Sequence, residues 1–155
     1  MFPWGEGMSQ FVLVFELDEL QCAIDSTAVK EVVRAVAVRP MPGQSPFIAG
    51  VIDLRGSTVP VLDLRARFGR PSRALQLTDA FIVTGIRHRT VALWADRVVD
   101  VLPFDVPLSA VRDGFIAGTT SLAGVARLDD RLVMIHDSEA FLSQAEADAI
   151  ASVSA

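Results

Sequence analysis

Few residues in this 155-residue chain are equipped for bond-making chemistry: one cysteine, Cys22, and two histidines, His88 and His136. A thiol or hydroxyl becomes a working nucleophile only with a base in hydrogen-bonding reach or a depressed pKa. Cys22 alternates with Leu20 and Ile24, the setting of a small buried hydrophobe in a strand. His136 closes the apolar run 132–135, and His88 lies between Arg87 and Arg89, which predicts a strand-end and a turn role. A lone cysteine excludes an intramolecular disulfide and a multi-cysteine metal cluster, and two histidines leave little material for a zinc site. The sequence holds neither a Walker loop nor a G-x-G-x-x-G motif. The pair Asp129-Asp130 reads as a turn, Trp94 as a core residue and Trp4 as a tail residue. The expectation is a protein without catalytic residues, metal or cofactor. A small β-barrel enzyme using His136 with Asp137 or His88 is the remote alternative.

More informative are charged residues at a fixed spacing. Asp53-Leu54-Arg55 recurs ten positions later as Asp63-Leu64-Arg65, with Gly56-Ser57 between them as the expected turn. On a hairpin, Asp53, Arg55, Asp63 and Arg65 would form exposed cross-strand ion pairs worth about 0.2–1 kcal/mol each. Arg55 stands apart. It precedes a turn glycine, beside a Pro-rich loop and among apolar neighbours, where a planar guanidinium can anchor a partner.

Composition limits the partners these groups can have. Fourteen basic and nineteen acidic residues leave a net charge of −5, and the pI is near 4.9. Nucleic acid is disfavoured, because phosphate contacts need a basic face. The apolar fraction is 51% and the mean hydropathy +0.41, which excludes a disordered chain. No membrane span is predicted: the uncharged run 40–52 has 13 residues and is interrupted by Pro42 and Pro46, whereas a spanning helix needs about 20. Residues 1–8 have neither a basic region nor an apolar run, so no signal peptide is expected and a cytoplasmic location is. The surplus apolar surface must therefore be core, partner-facing surface, or both.

The elements that would position these residues are mostly strands. Phe11, Leu13, Phe15 and Leu17 share one face, and after Asp18-Glu19 the alternation resumes at Leu20, Cys22 and Ile24, giving a hairpin. Asp25 or Ser26 can cap a short helix carrying Val29, Val32 and Val33 on one face, followed by a short strand over 35–38. Pro40, Pro42, Gly43 and Pro46 force an irregular loop. A second β region covers 47–68, in which Pro60 marks an edge or a bulge. Short strands are expected over 80–85, 90–94 and 98–102. A loop-rich segment over 104–120 follows, and a last hairpin joins 122–128 to 131–135. Ser143-Gln144-Ala145-Glu146 fits a capping box opening an Ala-rich helix. Nine or ten short strands with Gly, Pro and Asp turns argue for one or two small β-barrels sharing a tight boundary.

The stretch Gly50-Val51-Ile52-Asp53-Leu54-Arg55-Gly56, continued by Pro60-Val61-Leu62-Asp63-Leu64-Arg65-Ala66-Arg67-Phe68, resembles the signature of CheW-like domains, the coupling proteins of bacterial chemosensory arrays. Val29-Lys30-Glu31-Val32 is similar to that family's first helix, Pro40-Met41-Pro42 with Phe47-Ile48-Ala49-Gly50 to its lead-in loop, and Leu122-Ala123-Gly124-Val125 with 132–135 to its closing hairpin. The similarity covers residues 10–142, between a tail over 1–9 and a C-terminal helix and tail over 143–155.

The resemblance implies a mainly β fold of two intertwined five-stranded SH3-like barrels, with a short helix after the second strand and a C-terminal helix. It implies a non-enzymatic adaptor, placed at membrane-associated receptor arrays, that bridges chemoreceptor cytoplasmic tips and the regulatory domain of a CheA-type histidine kinase. Positions matching the family's receptor-facing groove are Val29, Glu31, Gly50 and Arg55, with Glu31 and Arg55 matching a charged pair that tunes signalling. Phe115 matches an aromatic position in a ring or kinase contact. Two departures stand out: Asp53 replaces the family's usual Asn beside Arg55, and the segment 112–120 is shorter. They motivate the alternative of a diverged scaffold serving a pilus, biofilm or polar-organisation pathway.

Overall fold

The computed structural model describes residues 10–43, 45–104, 122–128 and 130–151. Ten strands form two five-stranded sheets. The first sheet holds β1 (Gln10–Leu17), β2 (Leu20–Asp25), β8 (Arg97–Phe104), β9 (Leu122–Leu128) and β10 (Arg131–His136), in the order β8-β1-β2-β10-β9. The second holds β3 (Val29–Arg34), β4 (Ile48–Leu54), β5 (Ser57–Asp63), β6 (Ala80–Ile86) and β7 (Arg89–Ala95), in the order β3-β6-β7-β5-β4. Strands from both ends of the chain thus enclose a sheet built from its middle. Hairpin pairs are antiparallel, while β2–β10 and β5–β7 are parallel, so both sheets are mixed. The expected mainly β fold of two intertwined five-stranded units agrees with this architecture.

Both faces of each sheet are covered. One core lies between the sheets, where Leu13, Phe15, Leu17 and Ile24 of the first meet Leu62, Ile82, Ile86 and Leu93 of the second. Val12, Val14, Val133 and Ile135 form a second cluster on the far face of the first sheet. Val59, Val61, Phe81 and Trp94 form a third on the far face of the second. Strands buried on both sides read as continuous apolar runs rather than as alternation. This accounts for Val12-Leu13-Val14-Phe15, all buried, and for much of the high apolar fraction, while Phe11 ahead of them is exposed.

Between β2 and β3 the expected helix shrinks to a single 3-10 turn over Ser26–Ala28, capped by the Asp25 carboxylate, which accepts from the Thr27 N–H at 3.0 Å. Val29, Val32 and Val33 lie in a strand, correcting the helical reading and the comparison of 29–32 with a helix. An irregularity between Val29 and Glu31 explains the misleading spacing. It sets Val29 opposite Thr84 and Val32 opposite Ile82, two residues apart on β6, so an i, i+3 pair shares one face of a strand. No strand forms over 35–38; this stretch leads to a bridge in which Arg39 and Val51 exchange both backbone hydrogen bonds at 2.9 Å.

That bridge governs the next hairpin. Because both polar groups of Val51 point at Arg39, the opposite residue, Pro60, is not asked for an N–H by β4. On its other side, β5 pairs with β7 only from Val61 onward. Gly50 sits at a register irregularity of β4 with φ +149°, and a Cβ there would stand 2.2 Å from the Arg39 carbonyl oxygen. The turn itself is Arg55-Gly56, with φ of 49° and 85°, one residue earlier than Gly56-Ser57. Two consecutive left-handed residues match the right-handed twist of the flanking strands.

The Asp-Leu-Arg repeat does not build cross-strand ion pairs. Asp53 accepts the Gly56 N–H at 3.0 Å and so closes the turn. Asp63 is buried and caps the short helix α1 (Leu64–Arg67), accepting the Arg65 N–H at 3.0 Å, and burial raises its carboxyl pKa. Arg65, only 1% exposed, reaches out of the second sheet to Asp18 in the β1–β2 turn, at 3.2 Å, and to Asp96, the single residue between β7 and β8. At the C-terminus, Ser143 Oγ accepts from the Glu146 N–H at 3.1 Å and Glu146 accepts from the Ser143 N–H at 2.8 Å. This capping box opens α2 (Gln144–Ala151), whose Ala147 and Ile150 enter the core between the sheets.

Two outcomes are expected from these features. Gly50→Ala should lower the unfolding free energy by at least about 3 kcal/mol, through strain and the clash with Arg39. Gly56→Ala, whose Cβ would meet nothing within 4 Å, should cost only about 1 kcal/mol; denaturant titration of both variants checks the contrast. His136, stacked on Phe68 with ring centroids 4.9 Å apart, is pushed by burial from the usual 6.5 down to about 4. The unfolded state therefore binds the extra proton first, so this stability is complete above pH 6.5 and drains away as pH falls toward 4. About 3 kcal/mol should be lost across that window, and His136→Phe should flatten the curve.

Candidate functional site: the outer strand of the second sheet

β3 lies at one edge of the second sheet, bonded to β6 on one side only. Lys30, Val32 and Arg34 are exposed along it, and Val29, Glu31 and Val33 are half-buried. Directly paired residues project to one face, and this divides the strand between two surfaces. Glu31 and Val33 pair with Val83 and Phe81, on the face of the second sheet's own core. Val32 pairs with Ile82, on the face turned toward the first sheet.

On the first of these surfaces Glu31 meets Arg55. The guanidinium donates through Nη2 to Glu31 Oε2, and the Arg55 side chain remains 68% exposed. Left-handed backbone at Arg55 aims this side chain out of the turn, while Asp53 is occupied with the Gly56 amide. An exposed pair of this kind contributes about 1 kcal/mol or less to stability. It sets a pair of opposite charges at the surface.

On the second surface Val32 joins Leu77 and Val98 in a groove of about 330 Å³ that runs between the two sheets. One wall is β3 with the residues leading into β6, and the other is Arg97 and Val98 at the start of β8. Val32 is 42% exposed and Leu77 78%. Both apolar side chains thus stand open beside the cleft. Arg34 and Arg97 add positive charge at the groove, the latter held by Glu16 at 2.6 Å.

The four residues singled out from sequence are thus distributed unevenly. Glu31 and Arg55 come together as an exposed ion pair. Val29 is half-buried and packs against the core between the sheets. Gly50 is buried, and its backbone carries the bridge region rather than a surface. Phe115 and the segment 112–120 lie outside the described residues. Sequence reasoning missed the groove, whose lining comes from positions 32, 77 and 98; the weak signals were a lone exposed leucine in a polar loop and a valine on a strand edge.

Little else offers chemistry. Cys22 is buried, its thiol pushed up to about 12 by desolvation. His88 occupies the Arg87-His88 turn with φ of 65° and is exposed. Among the described residues no group of three His, Cys, Asp or Glu side chains could hold a metal ion. None of their helices is long and apolar enough to cross a membrane.

Comparison with known proteins converges on one family. The model of the CheW-like domain matches residues 12–146. The chain is 31% identical over 144 residues to the chemotaxis protein CheW of Klebsiella aerogenes, covering 92% of this chain and 87% of that one. It is 32% identical over 144 residues to CheW of Thermotoga maritima, covering 90% and 93%. The crystal structure of the scaffolding protein TtCheW from Thermoanaerobacter tengcongensis superposes with a TM-score of 0.79 at 29% identity, over 91% of this chain and 92% of that one. Two interlocked sheets, an exposed charged pair with an interfacial groove, and these matches lead to one conclusion: the chain belongs to the CheW-like family, the non-enzymatic scaffold proteins of bacterial chemotaxis.

Proposed function

We propose that this adaptor couples the cytoplasmic tip of a chemoreceptor to the regulatory domain of a CheA-type histidine kinase, with β3 as the centre of the receptor contact. The observation that carries this reading is the division of β3 between two surfaces. One strand presents the Glu31–Arg55 pair on one side and Val32, beside Leu77 and Val98, on the other. An apolar groove with charge at its margin suits one face of an amphipathic helix, read as anchors at i, i+3 and i+4. Val29 and Gly50 support the contact from within: Val29 seats the start of β3, and Gly50 lets Arg39 close against β4. Receptor engagement would place the protein at receptor arrays.

Binding to a receptor-tip fragment and to the kinase regulatory domain, measured separately, tests the proposal. Absence of both, where an established coupling protein binds both, would overturn it. Arg55→Glu should keep the melting temperature within about 5 °C, because an exposed pair contributes so little, while receptor binding falls about tenfold through repulsion by Glu31 and loss of the guanidinium. Leu77→Asp should weaken receptor binding similarly with the fold intact. A collapse of folding in Arg55→Glu would instead assign that residue a structural role.

A further inference from the structure

The two walls of the groove belong to different sheets, and beside the Arg65–Asp96 pair a second arginine, Arg73, spans them. Arg73 lies in the segment between α1 and β6. Its Nη1 and Nη2 donate to Asp79 Oδ2 and Oδ1 at 2.9 and 2.8 Å, a bidentate pair. The same Nη2 donates to Asp96 Oδ1 at 2.7 Å. Asp79 belongs to the near wall, adjoining Leu77 and Ala80, and Asp96 is covalently next to Arg97 and Val98 of the far wall.

Each carboxylate is anchored to its own wall. Asp79 is 2% exposed and also accepts from the Trp94 indole Nε1 at 3.0 Å and the Gln76 N–H at 2.8 Å, while the Ala35 N–H, just beyond β3, donates to its carbonyl at 3.0 Å. On the other side, the Asp96 N–H donates to the Glu16 carbonyl at 2.9 Å and its Oδ2 accepts the Asp18 N–H at 2.7 Å, fixing it to the first sheet. The planar fork of arginine can hold two carboxylates in one geometry; an ammonium acts as a point charge and cannot.

We propose that Arg73 is a positioning residue for the groove, a strut whose bridge between Asp79 and Asp96 fixes the separation of the walls and so the fit of an incoming helix. The proposal rests on the groove being a docking site only for its consequence in binding; the strut itself is a statement about wall geometry. A groove held at one width keeps its apolar anchors pre-positioned, and pre-positioning lowers the ordering cost of association.

The test separates these two statements. Nitroxide labels at Leu77→Cys and Arg97→Cys report the distance across the groove by dipolar spectroscopy, with buried Cys22 out of reach of the label. Arg73→Lys is the variant of choice, because it leaves a cation against buried Asp79. Should it melt without cooperativity, Arg73→Met combined with Asp79→Asn removes both charges together and takes the same measurement. A narrow distance distribution is expected in the labelled parent and a broader one in the labelled variant, while in the unlabelled proteins the substitution reduces affinity for a receptor-tip helix about tenfold, the effect of one charge-assisted contact. Equal widths in parent and variant would overturn the strut. Broadening in the labelled variant, with no helix binding by the unlabelled parent, upholds the strut and overturns the docking site alone.

Discussion

The arrangement of the two sheets depends on one buried guanidinium. Arg65 leaves α1 of the second sheet, passes with its Cζ 5.9 Å from the centre of the Trp94 ring, and meets Asp18 and Asp96. Asp18 belongs to a turn of the first sheet and Asp96 is the point where the chain crosses from one sheet to the other. Removing a guanidinium from water is costly, and two carboxylates in reach offset that cost. Around it the network continues, through Arg70 to Asp18 at 2.8 Å and through Arg73 to Asp96 at 2.7 Å. Apolar contacts between sheets are non-directional and tolerate sliding. Charge-assisted hydrogen bonds at the crossover are not, and they fix the register of one sheet against the other.

Division of labour between the two kinds of contact runs through the molecule. The core between the sheets supplies most of the burial, and the clusters on the outer faces complete each sheet separately. Polar links appear where elements from different parts of the sequence must be held at a fixed angle. Arg67 lies 3.8 Å above the Phe47 ring and pairs with Glu146 of α2. Arg87 donates its backbone N–H to Glu139 and its Nε to the Leu142 carbonyl, tying the β6–β7 turn to the C-terminal segment. Arginine recurs because its fork can serve two acceptors while its stem packs on apolar surface.

Much of this was legible in the sequence. Strands over 80–85, 90–94 and 98–102, the Asp18-Glu19 turn, the last hairpin and the capping box at Ser143 all follow from local patterns of alternation and punctuation, and the structure agrees. Errors arose where local pattern and tertiary context disagreed. The spacing of Val29, Val32 and Val33 is helical by count, yet a single irregularity in a strand generates the same spacing. Asp63 and Arg65 look like a copy of Asp53 and Arg55, and only the crossover of the chain places Arg65 against Asp18 and Asp96. The Glu31–Arg55 pair was accessible through resemblance to a family, not through spacing. The groove was not legible, because positions 32, 77 and 98 are joined only by the packing of two sheets.

The interlocked strand order also dictates what can form while the chain is being made. All five strands of the second sheet lie between Val29 and Ala95, so that sheet is complete in sequence before the first has more than β1 and β2. Until β8, β9 and β10 emerge, Val12, Val14 and Ala23 have no partners for their outer face. The closing residues Phe141, Leu142, Ala147 and Ile150 reach the shared core last of all. A nascent chain that has emerged from the ribosome as far as residue 96 therefore carries all strands of the second sheet beside an uncovered apolar hairpin, the kind of surface on which chaperones act. Truncation before Phe141 therefore removes the final step of assembly rather than a dispensable segment.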